Sequence, residues 1–535
     1  MPDKTGPENM NTSSAREKYD AVPYDSRAIA DTHIGLLSIE AILAGLSPAL
    51  PAKCRVLELG CASGGNLLPM ADEFPESEFV GIDISPVQVA DGENLRKQAG
   101  LNNARLMVMD LCQVGTQLGT FDYIIAHGLY SWIPAPVQAK LLELFATCLN
   151  PHGVGYISLN VYPGFHNRQM LRDMLQRRLE GVIDPAARRD ISMQFLHVIA
   201  NTEAAPSCQS MALRGEAKQL LECGYSYFVH DTLAEYHEAL YFEDFNRRLT
   251  GSGLNFLSEC RPDPVIRRAA IGLLKQLPES AGNRIKQEQY IDYIGVVSFR
   301  HTAIVKAGLP LKSSPDVKWI DHFSIRSRLH PKVLANAQPM NMAPGVPITF
   351  TIPLAGDITF ENNISKGIFL SLFLHSSIPL TFEQLLTELR KQLRLGTEFA
   401  IAGSPQRQKM AETLMYYRGL GLIKLCWPPG FILQVNEKPK VSKLVRAMAP
   451  HTSVLPNRLH ETVLDLTRLD TMLLSLMDGN HDIDALCDAI ESQQAAGLLP
   501  TFGSAGAAEC GIFATVEDTL ENSLKRIAHY GFLIE

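Results

Sequence analysis

The stretch RVLELGCASGGN, residues 55–66, decides the fold. It begins as a short apolar run that contains Glu58 and then passes through the small residues Gly60, Ala62 and Gly64. An apolar run followed by small residues is typical of a strand that enters a tight turn, where the backbone approaches a ligand closely. Similar turns occur in dinucleotide-binding proteins, and Ala62 occupies a position where the G-x-G-x-G pattern has glycine. The turn alone therefore leaves the cofactor open.

The surrounding sequence alternates between strand and helix patterns. Short apolar runs predict five strands, at 54–59, 77–83, 105–110, 121–128 and 154–161. Helical patterns lie between or before them at 66–74, 86–99 and 136–149. Such alternation indicates an α/β fold, with a doubly wound, mostly parallel sheet that binds its ligand at the carboxyl ends of the strands.

The rest of the chain predicts four regions. Residues 1–18 are expected to be disordered, and a helix is expected from Ser26 to Leu46. The α/β domain is expected to span 19–308, with a helical insertion at about 165–235 that is either a substrate lid or a separate helical unit. A middle domain at 309–440 and a C-terminal domain at 441–535 each show a winged-helix-like order of helices and a short strand.

Composition excludes several classes of protein. The 535 residues carry a formal net charge of -8, which argues against a dedicated nucleic-acid binder. The last module is acidic, so docking or homodimer formation is the more plausible role for it. The ten cysteines show no metal-ligand spacing, which favours reduced thiols and no metal. Neither a signal peptide nor a run of about 18 apolar residues is present, so a cytoplasmic protein without a membrane span is expected.

Acidic side chains follow three successive predicted strands. Glu58, Asp83 and Asp110 stand at these strand ends, where Asp83 can accept hydrogen bonds from ribose hydroxyls and Asp110 from an adenine amino group. S-adenosylmethionine carries a sulfonium and an ammonium but no phosphate, so an acidic rim suits it and would repel a pyrophosphate. These residues predict an S-adenosylmethionine site.

Polar and aromatic side chains follow the fourth and fifth predicted strands. The loop after the fourth strand holds aromatic rings, which stabilise a neighbouring cation by about 0.5–2 kcal/mol. Side chains after the fifth strand are placed to orient an acceptor amine. The predicted catalytic residues are His127, Tyr130, Trp132, Asn160 and Tyr162.

At these motifs the chain resembles class I S-adenosylmethionine-dependent methyltransferases. More narrowly, it is similar to bacterial proteins with a methyltransferase regulatory region (here about 217–300), such as the rickettsial outer-membrane-protein lysine methyltransferases. The matching stretches are YDAVPYDSRAIADTH (19–33), RVLELGCASGGNLLPMA (55–71), FVGIDIS (79–85), FDYIIAHGLYSWIP (121–134), YISLNVYPGFH (156–166) and YFVHDTLAEYHEALYFEDF (227–245). Two departures are Phe165, where a Trp is expected, and Ile34, where a Pro is expected.

The resemblance implies a methyltransferase that acts on protein lysines. It also implies that the PYDS…TH segment closes over the cofactor. The predicted cofactor-binding residues are Tyr19, Tyr24, His33, Glu58, Gly60, Cys61, Ala62, Gly64, Asn66, Asp83, Ile84, Gln88, Asp110, Leu111, His127 and Gly128. The alternatives are a small-molecule methyltransferase and a catalytically silent adaptor that binds S-adenosylmethionine. An NAD-dependent dehydrogenase would leave Asp110 and the 127–132 loop without a role.

Overall fold

A computed structural model describes residues 12–202, 207–277, 282–332, 342–343, 345–352, 356–376, 378–428, 430–501, 509–513 and 515–534. Side chains are described from Arg16 onward. Within these ranges no helix is both long and apolar enough to cross a bilayer. All ten cysteines are free thiols.

A seven-stranded sheet forms the centre of the N-terminal half. Its strands are β1 (Arg55–Leu59), β2 (Glu78–Asp83), β3 (Ala104–Val108), β4 (Phe121–Ala126), β5 (Leu149–Asn160), β6 (Leu254–Glu259) and β7 (Phe299–Lys306). Their order is β3-β2-β1-β4-β5-β7-β6, and only β7 runs antiparallel to its neighbours. The predicted mostly parallel, doubly wound sheet is confirmed. It differs from the dinucleotide-binding order 3-2-1-4-5-6 by β7, which lies between β5 and β6.

Helices cover both faces of this sheet, which explains why its strands are apolar throughout. One face packs against α2 (Ile34–Leu43), α3 (Leu67–Glu73) and α4 (Pro86–Gln98). The other packs against α5 (Ala135–Cys148) and α10 (Phe242–Gly251). Two further helices, α11 (Pro264–Leu274) and α12 (Arg284–Gly295), pack together between β6 and β7 in the chain.

Helices also fill the segment between β5 and α10. They are α6 (Phe165–Arg178), α7 (Pro185–Ala200), α8 (Cys208–Glu222), the single turn α9 (Tyr225–Tyr227) and a π-helix (Phe228–Thr232). This segment has a small apolar core of its own, which includes Leu171, Leu196 and Leu220. The helical pattern predicted for about 165–235 is therefore present, whereas its role as a lid stays a prediction.

The chain before β1 differs from the prediction. Residues 12–18, which were expected to be disordered, lie in the helix α1 (Thr12–Ala21), while residues 1–11 fall outside the described part. The helix expected from Ser26 begins only at Ile34, after a 3-10 turn at Ala30–Thr32. The segment before that turn is held by tertiary hydrogen bonds instead, for example from Gly65 N to Ser26 Oγ (2.8 Å).

Two small sheets and three helices make up the described part of the middle region. One sheet has the order β12-β8-β13, built from β8 (Ser324–Arg326), β12 (Leu380–Thr381) and β13 (Lys424–Cys426). The helices α13 (Asn363–Leu374), α14 (Phe382–Leu393) and α15 (Pro405–Gly419) follow the predicted order. The other sheet was not predicted and consists of β9 (His330–Pro331), β10 (Ile348–Ile352) and β11 (Gly356–Phe360).

The C-terminal region is mostly helical. It contains α16 (Lys443–Met448), a hairpin of β14 (Leu455–Pro456) and β15 (Thr462–Val463), and then α17 (Arg468–Leu476), α18 (Ile483–Ala495) and α19 (Val516–His529). These elements share one apolar core, while Leu444 of α16 enters the core beneath the large sheet. The boundaries at 309 and 441 stay predictions.

Candidate functional site

The turn after β1 has the backbone conformation that its small residues indicate. Gly60, Ala62 and Gly64 have φ angles of 75°, 49° and 76°, in the left-handed region that glycine favours. Ala62 adopts this conformation although it carries a Cβ. Its N–H donates to Asp83 Oδ2 (2.8 Å), a bond that ties the turn to the end of β2.

Glu58 is a buried carboxylate with one free oxygen. Its Oε1 accepts a hydrogen bond from Asn66 Nδ2 (2.7 Å). Its Oε2 is buried without a hydrogen-bond partner among the described residues. Burial raises the pKa of Glu58 to about 8, although the bond from Asn66 opposes the shift. An unpartnered buried oxygen is costly, so this side chain is prepared for a ligand that is cationic or donates a hydrogen bond.

The other two acids end the neighbouring strands on the same edge of the sheet. Asp83 is the last residue of β2, and its Oδ1 accepts from Ser85 N (2.9 Å). Burial raises the pKa of Asp83, and backbone N–H donors oppose this shift. Asp110 lies two residues beyond β3 and accepts from Cys112 N (2.8 Å). The structure therefore places Glu58, Asp83 and Asp110 at the carboxyl ends of three adjacent parallel strands.

Two distant segments meet above the end of β2. The ring of Tyr19 stacks on His230 of the π-helix with centroids 4.4 Å apart, and Tyr24 lies 6.0 Å from the same ring. The backbone N–H of Tyr24 donates to Gln88 Oε1 (3.0 Å). Burial raises the pKa of Tyr19, as do the nearby carboxylates Asp231 and Asp83. Tyr19 and Tyr24 are thus part of a cover over the acidic edge, and His230 joins them.

His33 does not belong to this cover. Its imidazole lies 3.2 Å from Glu73 Oε2 and packs beside Phe74 and His460. His33 also caps α2 (Ile34–Leu43), because its side chain accepts from Gly35 N. This cap directs the ring towards the C-terminal region. The role of His33 at the cofactor stays a prediction.

Asn66 connects the first turn to three other segments. Its Oδ1 accepts from Ile29 N (3.0 Å) and Thr32 Oγ1 (2.9 Å). It also lies 2.8 Å from His460 Nε2, a fully buried residue of the C-terminal region. These donors fix which side of the amide faces Glu58. The sequence gives no local signal for His460.

A hydrogen-bonded chain of three side chains begins at the end of β4. His127 Nδ1 lies 3.1 Å from Tyr156 Oη, which lies 2.7 Å from His301 Nδ1. Burial lowers the pKa of His127 to about 4 and that of His301 to about 3, so both imidazoles are neutral at neutral pH. This hydrogen-bonded series can pass a proton from one imidazole to the other, but neither imidazole is a stable cation at neutral pH.

Asn160, at the end of β5, lies among aromatic rings. Its Nδ2 is 3.0 Å from His237 Nε2, and His237 stacks on Phe165 with centroids 4.2 Å apart. Burial lowers the pKa of His237 to about 3. Because the amide nitrogen of Asn160 is directed to His237, its amide oxygen can accept a hydrogen bond from another group. Phe165, the departure from the expected Trp, therefore supports the partner of Asn160.

Trp132 also contacts His237, at 4.8 Å between centroids. One face of its indole is covered by the guanidinium of Arg172, 5.4 Å from the ring centroid. Arg172 is fully buried and donates to the backbone carbonyls of Thr232 (2.8 Å) and Ala234 (2.9 Å). One face of this aromatic ring, which was predicted to stabilise a cation, is thus already occupied by the cation of Arg172.

The two tyrosines predicted as catalytic lie in different surroundings. Tyr162 follows β5, stacks on His166 (4.0 Å) and lies 5.6 Å from Tyr241. Tyr130 is fully buried, packs edge-on against Phe245 and belongs to the core on the α5 and α10 side of the sheet. The structure does not bring Tyr130 to the other predicted residues.

The remaining predicted cofactor residues surround the acidic edge. Cys61 is buried beneath the turn, and Gly128 donates its N–H to Ser158 Oγ (2.7 Å). Ile84 and Leu111 are half-buried directly after Asp83 and Asp110. The contact of Ile84 and Leu111 with the cofactor stays a prediction.

The sheet order and the acidic strand ends define the class of this protein. It belongs to the class I S-adenosylmethionine-dependent methyltransferases, and S-adenosylmethionine is its cofactor. A family model for a methyltransferase domain matches residues 56–153, and one for a predicted methyltransferase regulatory domain matches 225–306. A third, described as the PKMT C-terminal winged helix domain, matches 437–532.

Within that class the chain resembles rickettsial proteins, as its motifs predict. One uncharacterised protein of Rickettsia prowazekii (strain Madrid E) is 32% identical over 230 residues, or 42% of this chain and 91% of the relative. Another is 27% identical over 485 residues, or 90% and 86% of the two chains. The structure of PKMT2 from Rickettsia typhi in complex with AdoHcy is 25% identical, with a TM-score of 0.79 over 96% of this chain and all of that one.

The residues present fit this cofactor. Glu58 Oε2, which has no hydrogen-bond partner among the described residues, can accept a hydrogen bond from an ammonium group or from a bridging water. Asp83 keeps lone pairs for ribose hydroxyls beside its two backbone donors. Phosphate groups would meet acidic side chains at this edge, whereas a sulfonium is attracted to the ionised forms of these acids.

Proposed function

We propose that this methyltransferase acts on lysine side chains of a protein. The observation that carries the proposal is a cavity of about 610 Å³ between β7 and the middle region, lined in part by Phe299 and His301. These two rings lie 6.1 and 6.0 Å from His127 at the end of β4. Clefts of this size also hold small molecules, so the volume alone does not select the substrate class. A polypeptide segment is favoured because the cleft runs between two regions of the chain. The name PKMT, used for protein lysine methyltransferases, supports the same substrate class.

The acceptor amine must be neutral before it reacts. With a reference pKa of about 10.4, its deprotonation at neutral pH costs about 4–5 kcal/mol. Burial and a neighbouring positive charge both lower the pKa of an amine. Arg172 supplies such a charge beside Trp132, and its two Nη groups donate to backbone carbonyls. Its Nε is buried without a partner among the described residues.

Several side chains are placed to hold that amine. Asn160 offers its amide oxygen, while His237 fixes the orientation of the amide. Tyr162 provides a hydroxyl beyond the end of β5, and the chain from His127 through Tyr156 to His301 offers a path for the released proton. S-adenosylmethionine supplies, when bound, a methyl group on a sulfonium. The contribution of the protein is therefore alignment, which can supply about 7–11 kcal/mol.

The test is transfer of labelled methyl groups from S-adenosylmethionine into a cell extract by the full-length protein. The extract is separated into protein and small-molecule fractions, and labelled protein is digested and analysed for methylated residues by mass spectrometry. Methyl-lysine in the protein fraction supports the proposal. Label confined to small molecules would replace it with small-molecule methylation, and the Asp83→Ala protein serves as the negative control.

A further inference from the structure

The cavity beside β7 is bounded by two regions of the chain. One wall comes from residues 259–267 and 291–301, which belong to β6, α11, α12 and β7. The opposite wall comes from residues 326–329 and 421–424 of the middle region, next to β8 and β13. At one end Phe299 pairs in register with Asn160, so this end lies at the edge of the sheet where β5 stops.

The rim of the cavity carries more cations than carboxylates. Lys424 Nζ lies 2.8 Å and Arg261 3.7 Å from the single carboxylate of Asp31. On the other side Arg326 (3.0 Å) and Arg328 (2.6 Å) share the carboxylate of Glu461. In each group, two positive charges therefore face a single negative charge. The side chains of Arg261 and Arg328 are each 61% exposed, so they are free to turn towards a ligand.

The floor of the cavity does not cancel this excess. Arg300 and Arg267 face the carboxylates of Glu259, Glu288 and Asp292. Burial raises the pKa of Glu259 to about 7, and therefore this cluster holds close to one negative charge or none at neutral pH. All of its members are largely buried, as is Arg326, whereas Arg261 and Arg328 at the rim reach solvent.

One further carboxylate, Asp263, lines the mouth of the cavity. Its Oδ1 accepts from the first two N–H groups of α11, those of Val265 and Ile266 (both 2.9 Å). Because the Asp263 carboxylate is hydrogen-bonded at the positive end of α11, it makes the electrostatic potential of the cavity less negative than a free carboxylate would.

The walls also present apolar surface. Ile266, Ile291, Leu329, Ile352 and Ile423 line the cavity between the charged groups. A polypeptide offers both apolar side chains and carboxylates to such a lining, whereas a nucleic acid carries a phosphate at every nucleotide. The net charge of -8 of the whole chain also disfavours a polyphosphate.

We propose that this cavity binds the substrate segment around the acceptor lysine and selects segments with Asp or Glu next to that lysine. The inference rests on the proposed protein-lysine activity and adds to it a rule for sequence recognition. Carboxylates flanking the lysine pair with Arg261 and Arg328 at the rim. The lysine itself passes Phe299 and His301 towards Asn160.

Binding of labelled peptides to the full-length protein tests the rule without any methyl transfer. Two peptides are compared by fluorescence anisotropy, one with Glu and one with Gln on both sides of a central lysine. The Glu peptide should bind about tenfold more tightly, and the preference should shrink as salt rises from about 0.05 to about 0.5 M. Equal affinities for the two peptides would overturn the inference.

Charge-reversal variants test whether Arg261 and Arg328 cause the preference for the Glu peptide. The double variant Arg261→Glu, Arg328→Glu should lose the preference for the Glu peptide, while Arg247→Glu should keep it. Arg247 is a matched control because it is an exposed arginine that also pairs with a carboxylate, Asp244, on α10. A double variant that keeps the full preference would overturn the inference, as would displacement of the Glu peptide by a single-stranded oligonucleotide that binds more tightly.

The two proposals fail in different ways. If extract proteins gain methyl-lysine while the peptides bind alike, the recognition rule is wrong and the lysine activity stands. If the Glu peptide is preferred and the rim variant loses that preference, the rule stands. An extract without methyl-lysine would then count against the lysine activity alone.

Discussion

Binding of S-adenosylmethionine should release a proton from Glu58. In the free protein, burial raises the pKa of this carboxyl group to about 8, and Oε2 has no partner among the described residues. At about pH 7 such a group is about 90% protonated. A cationic ligand beside it favours the ionised form. Binding at this pH should therefore expel about 0.9 protons, provided that the pKa in the complex falls well below 7.

The sign of the pH dependence follows from this linkage. The ligand selects the ionised carboxylate, so affinity should rise with pH as long as the free protein is protonated, and the contribution of Glu58 should level off above about pH 8. Between about pH 6 and about pH 8 the expected gain in affinity is about fiftyfold, or about 2 kcal/mol. A Gln at position 58 cannot ionise and should show no such gain.

Isothermal titration calorimetry measures the effect directly. Titrations of wild type and Glu58→Gln in two buffers with different ionisation enthalpies give the number of protons released by each protein. The Gln variant should release about 0.9 fewer protons at about pH 7 and should bind more weakly. Asp110→Asn is the matched control, because it removes a carboxylate at a neighbouring strand end without touching Glu58. Equal proton release by wild type and Glu58→Gln would refute the reasoning.

Substitutions at three further positions probe other parts of the site. Asp83→Ala should weaken S-adenosylmethionine binding by more than about 1 kcal/mol, because charge-assisted hydrogen bonds are lost, and unchanged affinity in calorimetry would remove Asp83 from the site. His460→Ala should weaken the same binding by about 1 kcal/mol through Asn66, and His460→Gln should restore part of it; equal affinity of all three proteins would show that the C-terminal contact is irrelevant to the cofactor. Tyr162→Phe should lower turnover about tenfold with nearly unchanged cofactor affinity, and full activity would discard its role at the acceptor.

Local pattern was sufficient for the first five strands of the large sheet and for the helices that connect them. The helices predicted at 66–74, 86–99 and 136–149 are observed as Leu67–Glu73, Pro86–Gln98 and Ala135–Cys148. Parallel strands covered on both faces give continuous apolar runs, and these are easy to read. The small sheet of β9–β11 was missed although β10 (ITFTI) alternates apolar and polar residues; only β9, with two residues, leaves no periodicity.

The part of the site that lies near β1 and β2 could be read from the sequence in the same way. Glu58 and Asp83 stand at fixed offsets from their strands, and parallel strands bring such ends together. His230 and His237 were not singled out, although they lie in the stretch that resembles the regulatory region. His301 offered a signal that was overlooked, since it is an imidazole inside an apolar strand.

His33 lies beside His460, and long-range contacts of this kind are the ones that sequence reasoning could not find. Polar groups near the start of the chain are buried by residues hundreds of positions later, and no local pattern records such pairs. Asp31 is buried against Lys424, Glu40 is paired with Arg418, and Asn66 meets His460. Removing one partner of a buried pair typically costs about 3–5 kcal/mol, so these contacts hold the three regions in one arrangement. Because Asn66 also holds Glu58, and Lys424 lines the cavity proposed for the substrate, the two later regions help to build both the cofactor side and the acceptor side of the site.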